Sequence, residues 1–189
     1  MNKKVYRLVE TALFAALYVV LTMFVAPIAT GPLQFRISEA LMILPALTPT
    51  GVVALPLGVL LSHVLLSMGW IDIVFGTLAT ALAAIVTRYL AKRFKLLPEQ
   101  GQIQSGKALW KKKSFYLLPL PAILFNAFIV GVYLPIFFPD PNMKDLPFYL
   151  AMILSILSLA LSEALVVYVF GLPLMSGVYN IYKKQASRS

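Results

Sequence analysis

Residues 3–29, KKVYRLVETALFAALYVVLTMFVAPIA, decide the class of fold. Lys3, Lys4 and Arg7 precede an apolar run that lasts from residue 8 to residue 29. A membrane-crossing helix needs about 20 such residues. The run is too long for the core of a cleavable signal, and further apolar sequence follows soon after, so it is expected to be a retained first helix. The rest of the chain has the same character. Hydrophobic residues make up 60% of the 189 positions and charged residues 12%, against about 45–50% and about 25% in soluble domains. Mean hydropathy is +0.87. These values exclude disorder and disfavour a soluble enzyme. They leave room for roughly five to seven spans, so a large catalytic or ATPase head would have to be a separate chain.

The net charge of +9 is not spread evenly. Fourteen of the 16 Lys and Arg residues fall in three groups: Lys3, Lys4 and Arg7; the eight cations from Arg88 to Lys113; and Lys183, Lys184 and Arg188. Basic groups flanking apolar runs mark cytoplasmic helix ends, where they meet anionic headgroups. No basic stretch sits on a folded polar domain, which argues against nucleic acid. Breakers and charge divide the chain into helices at about 8–29, 38–48, 51–68, 70–89, 114–138 and 148–170. A short outer loop with Gly31 and Pro32 follows the first, and a cytoplasmic loop occupies about 92–113. The stretch 38–68 would be roughly 45 Å long as one helix, so it is split near Pro49 and Gly51. Pro119, Pro121 and Pro135 should bend the fifth helix, and Pro173 the end of the sixth. The expected fold is an all-α integral membrane protein, a single domain of six transmembrane helices, with both termini in the cytoplasm. The loop 139–147, with Asp140, Lys144 and Asp145, would lie outside.

With the basic groups and the residues near the termini set aside, four charges stand near or inside apolar segments: Arg36, Glu39, Asp72 and Glu163. A charge at a helix centre costs about 2.5–3.5 kcal/mol on insertion scales. Such residues usually face the protein interior and mark a site. Asn126 is the one uncharged amide within the fifth helix. Each also has a plainer role open to it. Arg36 and Glu39 have the i,i+3 spacing of an ion pair. Asp72 can cap a helix, Asn126 can bridge two helices, and His63 reads as a packed, satisfied histidine. Glu163 has no cation within its own turn and lies beside Ser155, Ser158 and Ser162. Asp72, Gly76, Thr80 and Ala84 form an i,i+4 stripe suited to close helix packing. Trp70, Phe75, Tyr133 and Tyr168 are candidate stacking surfaces or members of interfacial belts. Ile37-Ser38-Glu39-Ala40-Leu41 is echoed by Leu161-Ser162-Glu163-Ala164-Leu165.

A carboxylate in an apolar pocket accepts two parallel bonds from a flat ligand with adjacent N–H groups, such as a guanine-like edge. A second carboxylate can pair with a ligand ammonium, and Asn can accept and donate on the remaining edge. The chain has no Cys, one His, no Gly-x-x-x-x-Gly-Lys loop and no Gly-x-Ser-x-Gly turn. No metal site or cofactor is indicated, and the inventory suits binding better than catalysis.

The block Gln34-Phe35-Arg36-Ile37-Ser38-Glu39-Ala40-Leu41, the later Asp72-Ile73-Val74-Phe75-Gly76-Thr77-Leu78-Ala79-Thr80 and the Asn126 region resemble the QueT family. That family comprises S components of energy-coupling-factor (ECF) transporters assigned to queuosine precursors. The resemblance extends over nearly the whole chain. It implies a six-helix S-component fold in the plasma membrane of a bacterium. It also implies docking on one transmembrane coupling protein and two ATPases, with Ala12 and Ala16 as the Ala-x-x-x-Ala contact to the coupling protein. The implied ligand is a 7-deazaguanine base such as preQ1, or else preQ0 or queuine. On this reading Glu163 or Glu39 receives the guanine edge, Asn126 reads a ring atom, Asp72 or Glu39 favours the ammonium, and Arg36 orients a carboxylate or lines the entrance. An S component for another vitamin such as riboflavin or thiamine, a small membrane enzyme, and a structural subunit are the competing readings.

Overall fold

The computed structural model of the protein describes residues 2–26, 36–138 and 146–186. The two expected outer loops, with Gly31, Pro32, Asp140, Lys144 and Asp145, lie outside the described residues. So do Gln34, Phe35, Arg188 and positions 27–29 of the expected first helix. Every regular element among the described residues is helical.

Helix α1 (Lys3–Val25) starts where Asn2 accepts a hydrogen bond from the Lys4 backbone N–H. A 3₁₀ helix follows at Ile37–Ala46, then α2 (Gly51–Leu65) and α3 (Trp70–Arg93). Next come α4 (Gly106–Leu109), α5 (Leu120–Phe125) and α6 (Gly131–Phe137), the last two joined by a π-turn over Asn126–Val130. Helices α7 (Phe148–Val166) and α8 (Leu172–Ala186) are joined by a second π-turn at Val167–Gly171. Four helical stretches are long and apolar enough to cross a membrane: Lys3–Val25, Trp70–Gln100, Lys113–Phe137 and Phe148–Ala186. The other two, Ile37–Ala46 and Gly51–Leu65, are shorter.

The 3₁₀ helix is the centre of the bundle. Ser38 to Ala46 are all buried. Ten residues are long for this helix type, and at about 2.0 Å per residue they reach roughly 20 Å, against roughly 15 Å as an α-helix. Its apolar side chains join Tyr18, Leu55, Val59, Ala83 and Leu172 in the main core. Outward sides are the reverse of a soluble protein's. Leu8, Phe24, Trp70 and Leu161 are each at least two-thirds exposed, as a lipid-facing surface requires.

Residues 92–113, expected as a polar loop, are folded into the core. Leu96, Leu97, Ile103 and Leu109 are buried against Met175 and Tyr179 of α8. The Gly106 N–H donates to Asn180 Oδ1 at 3.1 Å, Ser176 Oγ donates to the Gly106 carbonyl at 3.0 Å, and Lys183 Nζ donates to the Ile103 carbonyl at 2.9 Å. This packing needs α8, which carries the last helix on to Ala186 instead of stopping near residue 170. The described cations of all three basic groups therefore share one end of the bundle. There Arg88 pairs with Glu99 at 2.6 Å and donates to the Pro45 carbonyl at 3.2 Å.

Candidate functional site

The opposite end of the bundle encloses a small polar space. Arg36 and Glu39 reach it from the start of the 3₁₀ helix, His63 from α2, Asn126 from the first π-turn, Tyr133 from α6, and Glu163 from α7. The volume is about 30 Å³, room for one or two waters. Glu39 is 4% exposed and Glu163 8%, so both carboxylates are removed from bulk water. Glu163 Oε1 accepts from Asn126 Nδ2 at 3.1 Å. Glu39 Oε1 accepts from the Tyr18 hydroxyl at 2.6 Å. Glu39 Oε2 is buried with no hydrogen-bond partner among the described residues.

Local structure explains how these groups come together. Asn126 opens one π-turn, and Glu163 lies four residues before the other. A π-turn inserts an extra residue into a helix and so turns its face by about 100° relative to the α register. Each is followed within five residues by a proline, Pro135 or Pro173, whose missing N–H already interrupts the ladder. Ser38-Glu39 and Ser162-Glu163, the halves of the sequence echo, bring their glutamates to the same cavity. Gly76 is required by contact: a Cβ there would stand 2.7 Å from His63 Cε1. Thr80, next on the stripe, lines the cavity and donates to the Gly76 carbonyl at 3.0 Å, and Ala84 is buried.

His63 is satisfied at both nitrogens and also forms part of the wall. Arg36 Nη1 is 3.5 Å from His63 Nε2, and a guanidinium only donates, so Nε2 accepts. Nδ1 then carries the proton and donates to the Asp72 carbonyl at 3.0 Å. Asp72 itself stands one layer back. Helix α3 starts after Gly69, so Asp72 lies in its first turn. The Asp72 carboxylate accepts from the Tyr133 hydroxyl at 2.6 Å. Tyr133 packs on Phe75 with ring centroids 5.7 Å apart. Of the other aromatic candidates, Trp70 is exposed and Tyr168 donates to the Tyr116 carbonyl on the basic side of the bundle. Ala12 and Ala16 are exposed on α1, on the side away from buried Ala15 and Tyr18.

A third buried carboxylate, Glu10, lies at the basic end. Its Oε2 accepts from Thr50 at 2.7 Å and Thr48 at 3.1 Å; its Oε1 accepts from Tyr182 at 3.0 Å and Tyr6 at 3.5 Å. These groups border a cavity of about 360 Å³ with Lys3 and Arg7 at its rim. Neither Tyr18 nor the hydroxyl partners of Glu10 carry a signal in sequence, because Tyr and Thr are ordinary in apolar segments. Among the described residues no three of His, Asp and Glu gather as metal ligands. The arrangement at the end away from the cations offers two carboxylates, an amide and a guanidinium around one small cavity. Such a set can accept hydrogen bonds from donors on a small molecule.

The QueT transporter family profile matches residues 8–180. The chain is 37% identical over 96 residues to the "Queuosine precursor transporter QueT" of Lactococcus lactis subsp. cremoris (strain MG1363). That match takes in 50% of this chain and 56% of the relative, little more than half of its length. No solved structure matches the chain.

Proposed function

We propose, because this chain belongs to the QueT transporter family, that it is the substrate-binding subunit of an ATP-driven importer of the ECF type and captures a queuosine precursor. It is a multi-pass membrane protein. In this reading it sits in a bacterial plasma membrane with the basic end in the cytoplasm, as the positive-inside rule favours. The guest is a 7-deazaguanine base, with preQ1 the best chemical fit and preQ0 and queuine the neighbours.

The observation that carries the reading is Glu39 Oε2, buried with no hydrogen-bond partner among the described residues, on a side chain that lines the same cavity as Glu163. A buried polar atom without a partner costs about 1–3 kcal/mol, and more when charged. A guanine edge supplies a ring N–H and an exocyclic amine, each bond to a carboxylate contributing about 1.5–3 kcal/mol. Two carboxylates together suit a guest with both a guanine edge and an aminomethyl cation. Asn126, already bonded to Glu163, is placed to read a neighbouring ring atom. Asp72 acts through Tyr133, and Arg36 through His63 at the wall. With room for one or two waters, the site is contracted, and the guest enters by moving wall side chains such as Tyr133 and Arg36. Delivery to the cytoplasm requires a coupling protein, met by Ala12 and Ala16 on the exposed side of α1, and two ATPase chains.

Calorimetric titration of preQ1 into the purified protein in nanodiscs tests the assignment. Glu39→Gln and Glu163→Gln should each weaken binding at least about tenfold. Unchanged affinity in both removes this site, and mass spectrometry of a co-purified vitamin of another class removes the ligand.

A further inference from the structure

We propose that Tyr18 is a positioning residue of the guest site, holding Glu39 so that its Oε2 points at the guest. The proposal rests on the function argued above. The Tyr18 hydroxyl donates to Glu39 Oε1 at 2.6 Å, the short range of an O–H bonded to a carboxylate. Tyr18 is 1% exposed, so the bond forms out of water. Its seat is prepared from two sides. Gly58 of α2 lets the helices close on it, since a Cβ there would stand 2.7 Å from Tyr18 Cβ. One turn on, the Thr22 hydroxyl lies 2.8 Å from both the Tyr18 carbonyl and Ser38 Oγ, fixing the residue before Glu39 to the same helix.

A bond to one oxygen from a fixed direction sets the plane of the carboxylate. Oε1 is occupied, and Oε2 is the acceptor left for the guest. Without the phenol both oxygens would lack a donor, and the carboxylate would be drawn to Arg36 three residues earlier. Filling space does not need the hydroxyl, because Phe has the same ring. The hydroxyl is therefore separable from the packing. Tyr18 also joins the site to α1, whose outer side carries Ala12 and Ala16.

The test is preQ1 titration by calorimetry, in nanodiscs, of the unsubstituted chain, Tyr18→Phe, Glu39→Gln and the double variant. Tyr18→Phe should bind about tenfold more weakly, with a melting temperature no more than a few degrees below that of the unsubstituted chain. The double variant should bind no more weakly than Glu39→Gln alone, because Tyr18 acts only through that carboxylate. Unaltered binding by Tyr18→Phe overturns the proposal, and so do losses that multiply in the double variant, the sign of a general packing role. If Tyr18→Phe does not fold, a ring-fluorinated tyrosine at position 18 keeps the ring and strengthens the donor. A changed affinity then supports the role and an unchanged one overturns it. Absence of binding by the unsubstituted chain overturns the functional reading and this proposal with it, whereas a binding chain indifferent to Tyr18→Phe overturns this proposal alone.

Discussion

Glu10 and Glu39 are both glutamates buried inside the bundle, at opposite ends of the same helical neighbourhood, and they differ in one respect. Glu10 has hydroxyls from Thr48, Thr50 and Tyr182 around both oxygens. Glu39 has a hydroxyl on one oxygen and, among the described residues, no partner on the other. The cavity sizes run the other way, about 360 Å³ beside Glu10 and about 30 Å³ beside Glu39. Volume alone would choose the basic end. Hydrogen-bond satisfaction chooses the other, because a carboxylate with its acceptors filled ties helices together and one with an acceptor to spare can select a guest.

That contrast can be broken experimentally. The largest effect is expected from Glu39→Gln: preQ1 affinity falls ~100-fold, about 3 kcal/mol by calorimetry, while thermal stability holds because the amide oxygen can still accept from Tyr18. Glu10→Gln should do the opposite. It removes a charge that three or four hydroxyls solvate, so stability drops by about 1–3 kcal/mol in thermal melts, while affinity stays within about twofold because the two sites are distant. A Glu10 variant that melts normally and binds poorly would reverse the assignment of the two ends. Gly76→Ala sharpens the picture at the proposed guest site. Its methyl would press on His63 Cε1, costing about 1–3 kcal/mol of stability as overpacking does and weakening binding, both readable in the same two assays. Tyr182→Phe is the mildest. Loss of one donor to Glu10 should lower stability by about 1 kcal/mol with preQ1 binding unmoved.

The sequence made charge conspicuous and left hydroxyls hidden. Arg36, Glu39, Asn126 and Glu163 stand out because such side chains are expensive in apolar segments, and the structure brings all four to one cavity. Asp72 stands out equally yet sits behind Tyr133, since its register in α3 turns it toward α6. Tyr18, Thr22, Thr48 and Thr50 were illegible, as each is common in a membrane helix and only the fold supplies its partner. The π-turns at Asn126–Val130 and Val167–Gly171 have no propensity signature, although prolines in both segments announced irregularity. Residues 92–113 misled for a different reason. Eight cations spread from Arg88 to Lys113 mask four buried aliphatic side chains, and elements as short as Gly106–Leu109 are too brief to show periodicity. The division of 38–68 followed from length arithmetic, and α2 begins at Gly51; that its first half is a 3₁₀ helix did not follow.

The winding of Ile37–Ala46 sets a mechanical gauge. This strut is fastened to α1 twice, by Ser38 and Glu39 at one end and by Thr48 and Thr50 just past the other. Rewound with 3.6 residues per turn it would shorten by about 5 Å, more than any hydrogen bond can stretch. One fastening would then have to let go, so the pitch of ten residues governs whether both ends of the molecule can be latched to its first helix at the same moment.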